Sequence, residues 1–551
     1  MKSASAQQSP EAAELQLLKQ QVAELMKERQ EDKERISAME SQVKAMGAQV
    51  ALSASIAKSK TLAGPDGKEI SLEGGPVVIP PIETFTRNLK YHWYARPGIG
   101  FTGNGVGQTA SFQVPGIGHG RFRLGNENDN YFEFGFIGTN LLGDPNPDVI
   151  DAKFRFTLAG VNAVDKSSYV GLANKGFDWA TRNAYVEFKN VIKSAPEVAF
   201  WAGQRYYDTY DIHSQDYGYL DNSGYGGGAY DINVGVGKLA VAYFAGIRAG
   251  TGNFLRNDFK EFNLQVNGGQ GNFYVHLLDI RLGEIAFLGG KLKLVLNGAY
   301  MQGGNFTITT DTEDDEDGQG HVDNSGGAGG GFVYQYDLPK SWGPGSFIQL
   351  AALYGWGLVN FSGGEPQMGK LGDAYNSALV ADNNAEFGTF EDVNPFNNSQ
   401  RAKANAQFVW NPTDNFSLNV WTTYQFEDQG FTSYQDNNGS ISSASGDAHL
   451  FTFGIRPVYW IWGPFAIQGQ AGYSYISNVR SGSAFGEGGS LGIFTIAPTI
   501  KPRGGFFTRP ELRIYATFAT WSDSLRGAVG GSYYSNNTYG WNFGIQAETW
   551  F

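Results

Sequence analysis

Aromatic and acidic residues alternate with phenylalanine at the end of the stretch Arg121–Phe136. Tyr131, Glu133 and a glycine take every second position there, and the positions between them are all phenylalanine. A period of two places the two sets on opposite faces of a β-strand. An aromatic ring can stack on the C–H face of a sugar, and a carboxylate can accept hydrogen bonds from its hydroxyl groups. Parity leaves a second interpretation open, in which Tyr131 fills a wall and Glu133 joins a structural ion-pair ladder with Arg96 and Arg123.

Two carboxylates, Asp211 and Asp216, lie close together in the sequence and raise the alternative of a glycosidase. Glycoside hydrolysis needs two carboxyl groups at a set separation. If the strand is regular, their odd spacing places them on opposite faces, which counts against this reaction. The chain has no cysteine, no HExxH motif and only 6 scattered histidines, so we expect no enzymatic activity.

Alternation of apolar and polar residues continues through the chain and indicates the elements that would position these groups. It is clear in Asp231–Phe244, Lys291–Ala299 and Phe416–Phe426. Mean hydropathy is −0.31, and no apolar run reaches the roughly 18 residues of a transmembrane helix. A barrel with its apolar face to lipid and its polar face to water fits both observations. In the last strand, Trp541–Phe551, the terminal phenylalanine falls on the lipid side and Trp550 among the lumen residues.

The composition narrows the class of protein further. The chain has 551 residues with 75 glycines and 14% aromatic residues, which is high for a globular protein. A net charge of −13 argues against a nucleic-acid partner. Long polar loops such as Gly363–Asn398 separate the strands, and the length suffices for about 16–18 strands around an aqueous channel. No cofactor is expected. The acidic run Asp311–Asp317 is a candidate loop site for a structural divalent cation such as calcium, although a solvated loop is the simpler interpretation.

Heptad spacing predicts a coiled coil before the strands begin. Apolar residues repeat at intervals of three and four over residues 15–53. Residues 1–60 are therefore expected to pair with copies of the same chain, with a lone charged helix as the alternative. Residues 61–86 are rich in glycine and proline and are predicted to be a linker, which leaves residues 87–551 for the barrel. The N-terminus lacks the apolar core of a signal peptide.

Six motifs follow one another in the strand region. They are LKYHWYARPGIGFTGNG at Leu89, RFRLGNENDNYFE at Arg121, WAGQRYYDTYDIHSQDY at Trp201, DINVGVGKLA at Asp231, FTFGIRPVY at Phe451 and TRPELRIYATFATW at Thr508. These motifs, in this order, resemble those of the maltoporins and sucrose porins. The resemblance covers the chain after the predicted linker. The N-terminal coiled coil is similar to the periplasmic extension of the sucrose porins, which maltoporins lack.

The resemblance implies an all-β, eighteen-stranded antiparallel transmembrane barrel that assembles as a homotrimer. It also implies a slide of aromatic rings through the lumen, flanked by polar tracks. One slide position corresponds to a tryptophan that enters from a neighbouring subunit, and Trp179 matches it. The residues at the slide positions are Tyr94, Tyr131, Trp179, Phe507 and Trp550. The residues at the track positions are Arg96, Arg123, Glu133, Arg182, Asp211 and Asp216.

The constriction departs from the maltoporin pattern. Where maltoporins narrow the channel with an arginine and a tyrosine, this chain has Thr209 and Gly218, while Asp221 keeps a carboxylate. Both replacements are smaller, so we expect a constriction that is wider and less positive than in a maltoporin. Arg182 shares the parity of apolar residues on its own predicted strand, so the pattern alone does not fix its direction.

These features predict a carbohydrate-selective porin that allows facilitated diffusion of sucrose or other di- and oligosaccharides. The alternatives are a general diffusion porin and a structural tether or surface receptor without sugar specificity. The expected location is the outer membrane of a Gram-negative bacterium, with the coiled coil in the periplasm. The expected partners are sugars, outer-membrane lipids, copies of the same chain, and peptidoglycan or another periplasmic component.

Overall fold

The computed structural model describes most of the strand region and two short strands before it. The chain divides into two units, Met1–Ile79 and Pro80–Phe551. The described residues are 61–63, 69–71, 88–108, 110–117, 121–141, 149–163, 178–249, 262–266, 269–270, 273–310, 318–322, 324–359, 361, 399–428, 434–435, 441–442, 447–481 and 484–551.

Two predictions fall wholly outside these ranges, namely the coiled coil of residues 1–60 and the cation site in the acidic run 311–317. Within residues 61–86, predicted as a linker, Thr61–Ala63 and Glu69–Ser71 pair as antiparallel strands, which the sequence pattern did not indicate. Among the described residues, no helix is both long enough and apolar enough to cross a membrane.

Eighteen antiparallel strands close into a barrel, as the resemblance predicted. Strand β1 comprises Leu89–Arg96 and Gly98–Thr102, interrupted at a proline that has no N–H for the ladder. The others are β2 Asp129–Gly138, β3 Asp151–Ala163, β4 Asp178–Lys189, β5 Ala199–Arg205, β6 Gly224–Asn233, β7 Lys238–Ala249, β8 Phe273–Phe287, β9 Gly290–Met301, β10 Ser325–Asp337, β11 Phe347–Gly357, β12 Gln400–Thr413, β13 Phe416–Asp428, β14 Asp447–Trp462, β15 Phe465–Ser481, β16 Ala484–Ile500, β17 Glu511–Trp521 and β18 Tyr539–Trp550. The barrel closes where β18 pairs with β1.

Alternation along the strands separates an apolar outer surface from a polar lumen. On β18, Trp541, Phe543 and Ile545 are 43%, 42% and 48% exposed on the outer surface. The alternate residues of the same strand point inward, and Asn542, Gln546 and Glu548 among them are buried. The residue types that a soluble protein would bury therefore cover the outside, as a membrane barrel requires.

The three phenylalanines of β2 lie on the outer surface, as their parity predicts. Phe134 is 39% exposed. Phe132 packs edge-on against Trp179 with ring centroids 5.2 Å apart, and Phe136 packs against Tyr91 at 5.5 Å. Trp179 and Tyr91 are themselves among the most exposed large side chains. The tyrosine and glutamate that alternate with these phenylalanines consequently face the lumen.

A β-bulge on β4 settles the direction that parity left open. Thr157 of β3 pairs with Asn183, and the next residue, Leu158, pairs with Thr181. Arg182 is thus an extra residue that has no partner in the ladder of β3. Bulges re-aim a side chain and break the alternation of a strand. Arg182 is therefore not bound to the outward parity of the apolar residues that follow it.

Two long connections fold into the lumen. The first follows β1, and its Phe112, Phe122 and Leu124 are fully buried. The second, residues 206–223 between β5 and β6, is called the inner loop below. Several hairpin connections are short, such as residues 288–289 between β8 and β9 and residues 463–464 between β14 and β15.

We predict that Phe134→Arg destabilises the barrel by about 2–4 kcal/mol in a lipid bilayer, because the side chain lies on the outer surface near the middle of β2. The measurement is equilibrium unfolding by denaturant in phospholipid vesicles, with Phe134→Leu as the matched control. Equal stability of the two variants would contradict the outward placement.

Candidate functional site

The inner loop forms a small hairpin inside the barrel. Its strands Tyr210–Ile212 and Tyr217–Leu220 are antiparallel and place Asp211 opposite Gly218. A 3₁₀ turn, His213–Gln215, joins them. The local sequence alternates ring and small or polar residues, so one side of the hairpin packs on the wall and the other side faces the open lumen.

The tip of the inner loop reaches the wall on the other side of the lumen. The hydroxyl of Tyr217 donates a hydrogen bond to Gln425 Oε1 of β13 at 2.7 Å, and that of Tyr219 donates to Gln349 Oε1 of β11 at 2.8 Å. The backbone carbonyl of Tyr219 accepts a bond from Lys403 Nζ of β12 at 3.3 Å. The loop therefore crosses the barrel and narrows the passage, because it starts at β5 and β6 and is fastened to β11–β13.

Ion pairs hold the base of the inner loop. Asp208 pairs with Arg281 of β8 at 3.2 Å and also binds the ammonium group of Lys293 on β9. Burial alone would raise the pKa of Asp208, but Lys293 and Arg281 hold it below its ordinary value. Arg281 is itself fixed by Asp279 at 2.8 Å. The loop is thus anchored at both ends of its span across the lumen.

Five rings form a continuous row along one side of the passage. The ring centroids of Tyr131 and Tyr94 lie 5.8 Å apart, and Tyr94 stacks on Trp550 at 6.2 Å with planes 17° apart. Trp550 meets His213 at 5.5 Å, and His213 meets Phe507 at 5.9 Å. Four of these residues are predicted slide positions. The fifth, His213, was not predicted, although it lies inside the DIHSQD motif between Asp211 and Asp216.

Hydrogen bonds fix the tyrosines of the row. The hydroxyl of Tyr94 donates to Glu548 Oε1 at 3.0 Å and accepts a bond from Arg123. The hydroxyl of Tyr131 donates to Glu133 Oε1 at 2.5 Å. The rings consequently present their faces, rather than their hydroxyl groups, to the passage.

Two of the predicted track residues are buried in an ion-pair network behind the rings. Arg96 pairs with Glu127 at 2.5 Å and with Asp129 at 2.7 Å. Arg123 pairs with Glu127 at 3.0 Å and with Glu548 at 3.1 Å. Arg96 and Arg123 are only 3% and 6% exposed. Both guanidinium groups therefore support the row of rings. An ion-pair ladder was the alternative interpretation of the sequence, but the acidic members of this network are Glu127, Asp129 and Glu548. Glu133 instead accepts the hydrogen bond of Tyr131.

Three of the other track residues lie closer to the open lumen. The guanidinium of Arg182 lies over the rings of Tyr131, at 5.9 Å, and Tyr206, at 5.3 Å. Asp216 pairs with Arg121 at 2.7 Å. Asp211 is exposed to the lumen. Arg182, Asp216 and Asp211 can thus reach a solute in the passage, in contrast to the buried guanidinium groups.

His213 is held in its neutral form. Burial, followed by the guanidinium groups of Arg123 and Arg509, keeps the pKa of His213 well below its ordinary value, although Glu548 acts in the opposite sense. Nδ1 lies 3.1 Å from Arg123 Nη1 and accepts its hydrogen bond. The imidazole therefore joins the row as an uncharged ring.

A cavity of about 440 Å³ lies between the inner loop and the row of rings. This volume falls within the range of small-molecule sites. Phe347, Gln349 and Gln407 of β11 and β12 line it and were not predicted, although Phe347 and Gln349 share the lumen parity of their strand. The lining residues are Tyr94, Thr209, Tyr210, Asp211, His213, Phe347, Gln349, Gln407, Phe507 and Trp550.

The predicted constriction residues occupy different places. Thr209 lines the cavity. A Cβ atom added to Gly218 would meet nothing within 4 Å, so this position borders open space. The carboxylate of Asp221 accepts bonds from the backbone N–H, at 2.9 Å, and the hydroxyl of Ser223, so it fixes the end of the inner loop.

Trp179 lies apart from the row of rings. It is 57% exposed on the outer surface of β4, next to Phe132. Within one chain it does not contribute to the lumen. Its expected role in a neighbouring subunit's channel stays a prediction.

The closed barrel with loops folded into its lumen defines the class of protein as a porin. The model of the LamB porin family matches residues 89–551. The chain therefore belongs to the LamB porin family and is a channel protein of the Gram-negative outer membrane. This agrees with the resemblance to maltoporins and sucrose porins and favours a channel over the glycosidase alternative.

Solved structures of other outer-membrane channels resemble the chain at the level of the barrel. OccAB1 of Acinetobacter baumannii is 11% identical with a TM-score of 0.39, over 85% of this chain and 98% of that chain. OpdK of Pseudomonas aeruginosa is 10% identical with a TM-score of 0.39, over 84% and 99%. OmpT of Vibrio cholerae, described as a trimer form, is 11% identical with a TM-score of 0.34, over 84% and 99%. At these scores the likeness carries no argument about this chain.

We predict that the double substitution Thr209→Arg with Gly218→Tyr lowers single-channel conductance by about twofold or more, because both side chains extend into open lumen. Planar-bilayer recording measures this, with Asp523→Asn on an exposed turn as the control. Unchanged conductance of the double variant would show that these positions do not border the passage.

Proposed function

We propose that this porin is selective for carbohydrates and allows sucrose or other di- and oligosaccharides to diffuse across the outer membrane. The observation that carries the proposal is the unbroken row of rings from Tyr131 through Tyr94, Trp550 and His213 to Phe507. A general diffusion porin needs no such row.

The chemistry of a sugar matches the two kinds of group that the passage offers. The apolar C–H face of a pyranose or furanose ring can stack on an aromatic ring. Its hydroxyl groups can exchange hydrogen bonds with Arg182, Asp211 and Asp216 in place of water. Because the rings are evenly spaced and similar, each gives a comparable site, and a sugar can pass from one to the next.

Transport requires that each of these sites be weak. A millimolar site corresponds to about −4 kcal/mol, which permits both capture and release. Tight binding at any one ring would hold the solute and stop the flow. The small residues Thr209 and Gly218 favour acceptance of a wider range of sugars than malto-oligosaccharides alone.

The assembly proposed for this porin is a homotrimer in the outer membrane, in contact with its lipids. In that assembly Trp179, exposed on the outer surface, supplies a ring to the channel of a neighbouring subunit. Residues 1–60 form a periplasmic coiled coil that contacts peptidoglycan or another periplasmic component, residues 61–86 are a linker, and residues 87–551 are the barrel. A structural tether or receptor role is compatible with this arrangement and independent of the lumen.

The row of rings is tested by sugar block of ion current in planar bilayers. Trp550→Ala should raise the half-blocking concentration of sucrose or a malto-oligosaccharide by about tenfold, since one stacking contact of about 1.4 kcal/mol is lost. The matched control is Trp541→Ala, which removes a tryptophan from the outer face of the same strand and should leave the block unchanged.

Two results would contradict the proposal. One is the absence of block of the native channel by any mono-, di- or oligosaccharide, which would leave a general diffusion porin. The other is equal block of the Trp550→Ala and Trp541→Ala variants, which would remove the row of rings from the mechanism.

A further inference from the structure

One acidic side chain stands apart from the other charged groups of the lumen. Among the residues that line the cavity, Asp211 alone carries a formal charge, because His213 is neutral and the others are aromatic, hydroxyl or amide residues. The charge of the open cavity is therefore negative, even though several arginines lie in the wall behind the rings.

The neighbouring carboxylates are neutralised by cations at short distance. Asp208 pairs with Arg281 at 3.2 Å, Asp216 with Arg121 at 2.7 Å, and Glu548 with Arg509 at 2.9 Å. Asp211 has no such partner. Among the described residues, no side chain forms a hydrogen bond or an ion pair with its carboxylate, which is exposed to the lumen.

The cations near this carboxylate are committed to other carboxylates. Burial, together with the carboxylate of Asp216, leaves the pKa of Asp211 above its ordinary value, although Arg123 attracts Asp211 without pairing with it. The guanidinium of Arg123 pairs instead with Glu127 at 3.0 Å and with Glu548 at 3.1 Å.

Lys293 lies over the ring of Tyr210, next in sequence to Asp211, with its Nζ 4.7 Å from the ring centroid. Its ammonium group is bound to Asp208 at the base of the inner loop. The ammonium group of Lys293 is thus committed to holding the loop in place.

There is room beside the carboxylate for a charged group of a solute. Gly218 lies directly opposite Asp211 in the hairpin, and a Cβ atom there would meet nothing within 4 Å. The same cavity is bordered by the rings of Tyr94, Tyr210 and Trp550. A carboxylate with aromatic faces around it favours an organic cation through both charge and cation–π attraction.

We propose that Asp211 makes this channel a discriminator of sugar charge. Amino sugars that carry an ammonium group pass and bind better than neutral sugars of the same size, and sugars that carry a carboxylate are rejected. The inference rests on the proposed carbohydrate selectivity and names the substrate class of the same site. It gives a carboxylate of the inner loop a function separate from that of the rings, since the rings hold the sugar face and Asp211 selects its charge.

The effect on binding should be moderate. The carboxylate and the incoming ammonium group remain hydrated in a water-filled lumen, where an exposed ion pair contributes little and is screened by salt. We expect about tenfold between ammonium and neutral sugars at low ionic strength, and a smaller ratio at high ionic strength. A preference of this size still permits release.

The test uses three β-1,4-linked dimers of the same skeleton, namely the glucosamine dimer, cellobiose and the glucuronate dimer. Each is titrated against the ion current of the full-length channel in planar bilayers at about pH 6, where the amine is protonated. We expect the half-blocking concentration to rise in that order. Asp211→Asn should bring the three values within about twofold of one another, and Asp211→Glu, which keeps the charge, should preserve the order. Glu284→Gln, which removes an exposed carboxylate outside the cavity lining, should behave like the native channel.

The outcomes separate this inference from the proposed function. Block by cellobiose without any dependence on sugar charge would overturn the role of Asp211 and leave carbohydrate selectivity intact. A charge preference that survives in Asp211→Asn would also overturn it. Absence of block by all three dimers would overturn this inference, and the proposed function would stand if sucrose or a malto-oligosaccharide still blocked the current. Absence of block by any sugar would overturn both proposals together.

Discussion

The anchoring of the inner loop across the lumen is the constraint on which the rest of the channel depends. Without it, eighteen strands would enclose a wide aqueous pore, since barrels of this size are not filled by their own wall side chains. The loop is fastened at its base by Asp208 and at its tip by Tyr217 and Tyr219. It carries Asp211, and its 3₁₀ turn inserts His213 between Trp550 and Phe507. The narrow passage and the continuity of the row of rings are consequences of this single placement.

The ion-pair network behind the rings holds the rings in position and contributes little to the stability of the barrel. Its members Arg96, Arg123, Glu127 and Glu548 are buried, and burial of charges costs free energy that their pairing offsets only in part. Loss of one partner would leave an uncompensated charge and cost about 3–5 kcal/mol. Because the hydroxyl of Tyr94 is bound within this network, its ring cannot turn away from the passage. The network therefore gives the sugar-facing rings fixed orientations.

Much of the fold could be predicted from the alternation of residue types. In a membrane barrel, alternate residues of each strand face the lipid and the aqueous lumen, so apolar and polar residues alternate along the sequence. Phe134 and the other two phenylalanines of its strand, as well as Trp550, lie on the faces that parity assigned to them. Alternation failed at Arg182, where a bulge inserts an extra residue and changes the direction of the side chain. This bulge has no glycine among Thr181, Arg182 and Asn183 to mark it in the sequence. Only the backbone pairing could therefore show it.

The residues of the candidate site were harder to predict from the sequence than the strands, because they come together only through tertiary contacts. His213 stands in a turn without periodicity, and Phe347 begins a strand far along the chain from the other rings. Arg96 and Arg123 were expected beside the passage as track residues, but the first long connection brings Glu127 against them and places them behind the rings. These placements were hard to predict for one reason, namely that the two loops inside the barrel are fixed by contacts with distant strands.

The most direct measurement of the central claim is single-channel recording of a variant in which residues 209–221 are replaced by a short Gly-Ser connection. Folding of the barrel is checked by its heat-modifiable migration in gels. If the anchored loop sets the passage, conductance should rise severalfold and sugars should no longer block the current. A folded variant with native conductance and native sugar block would contradict this account.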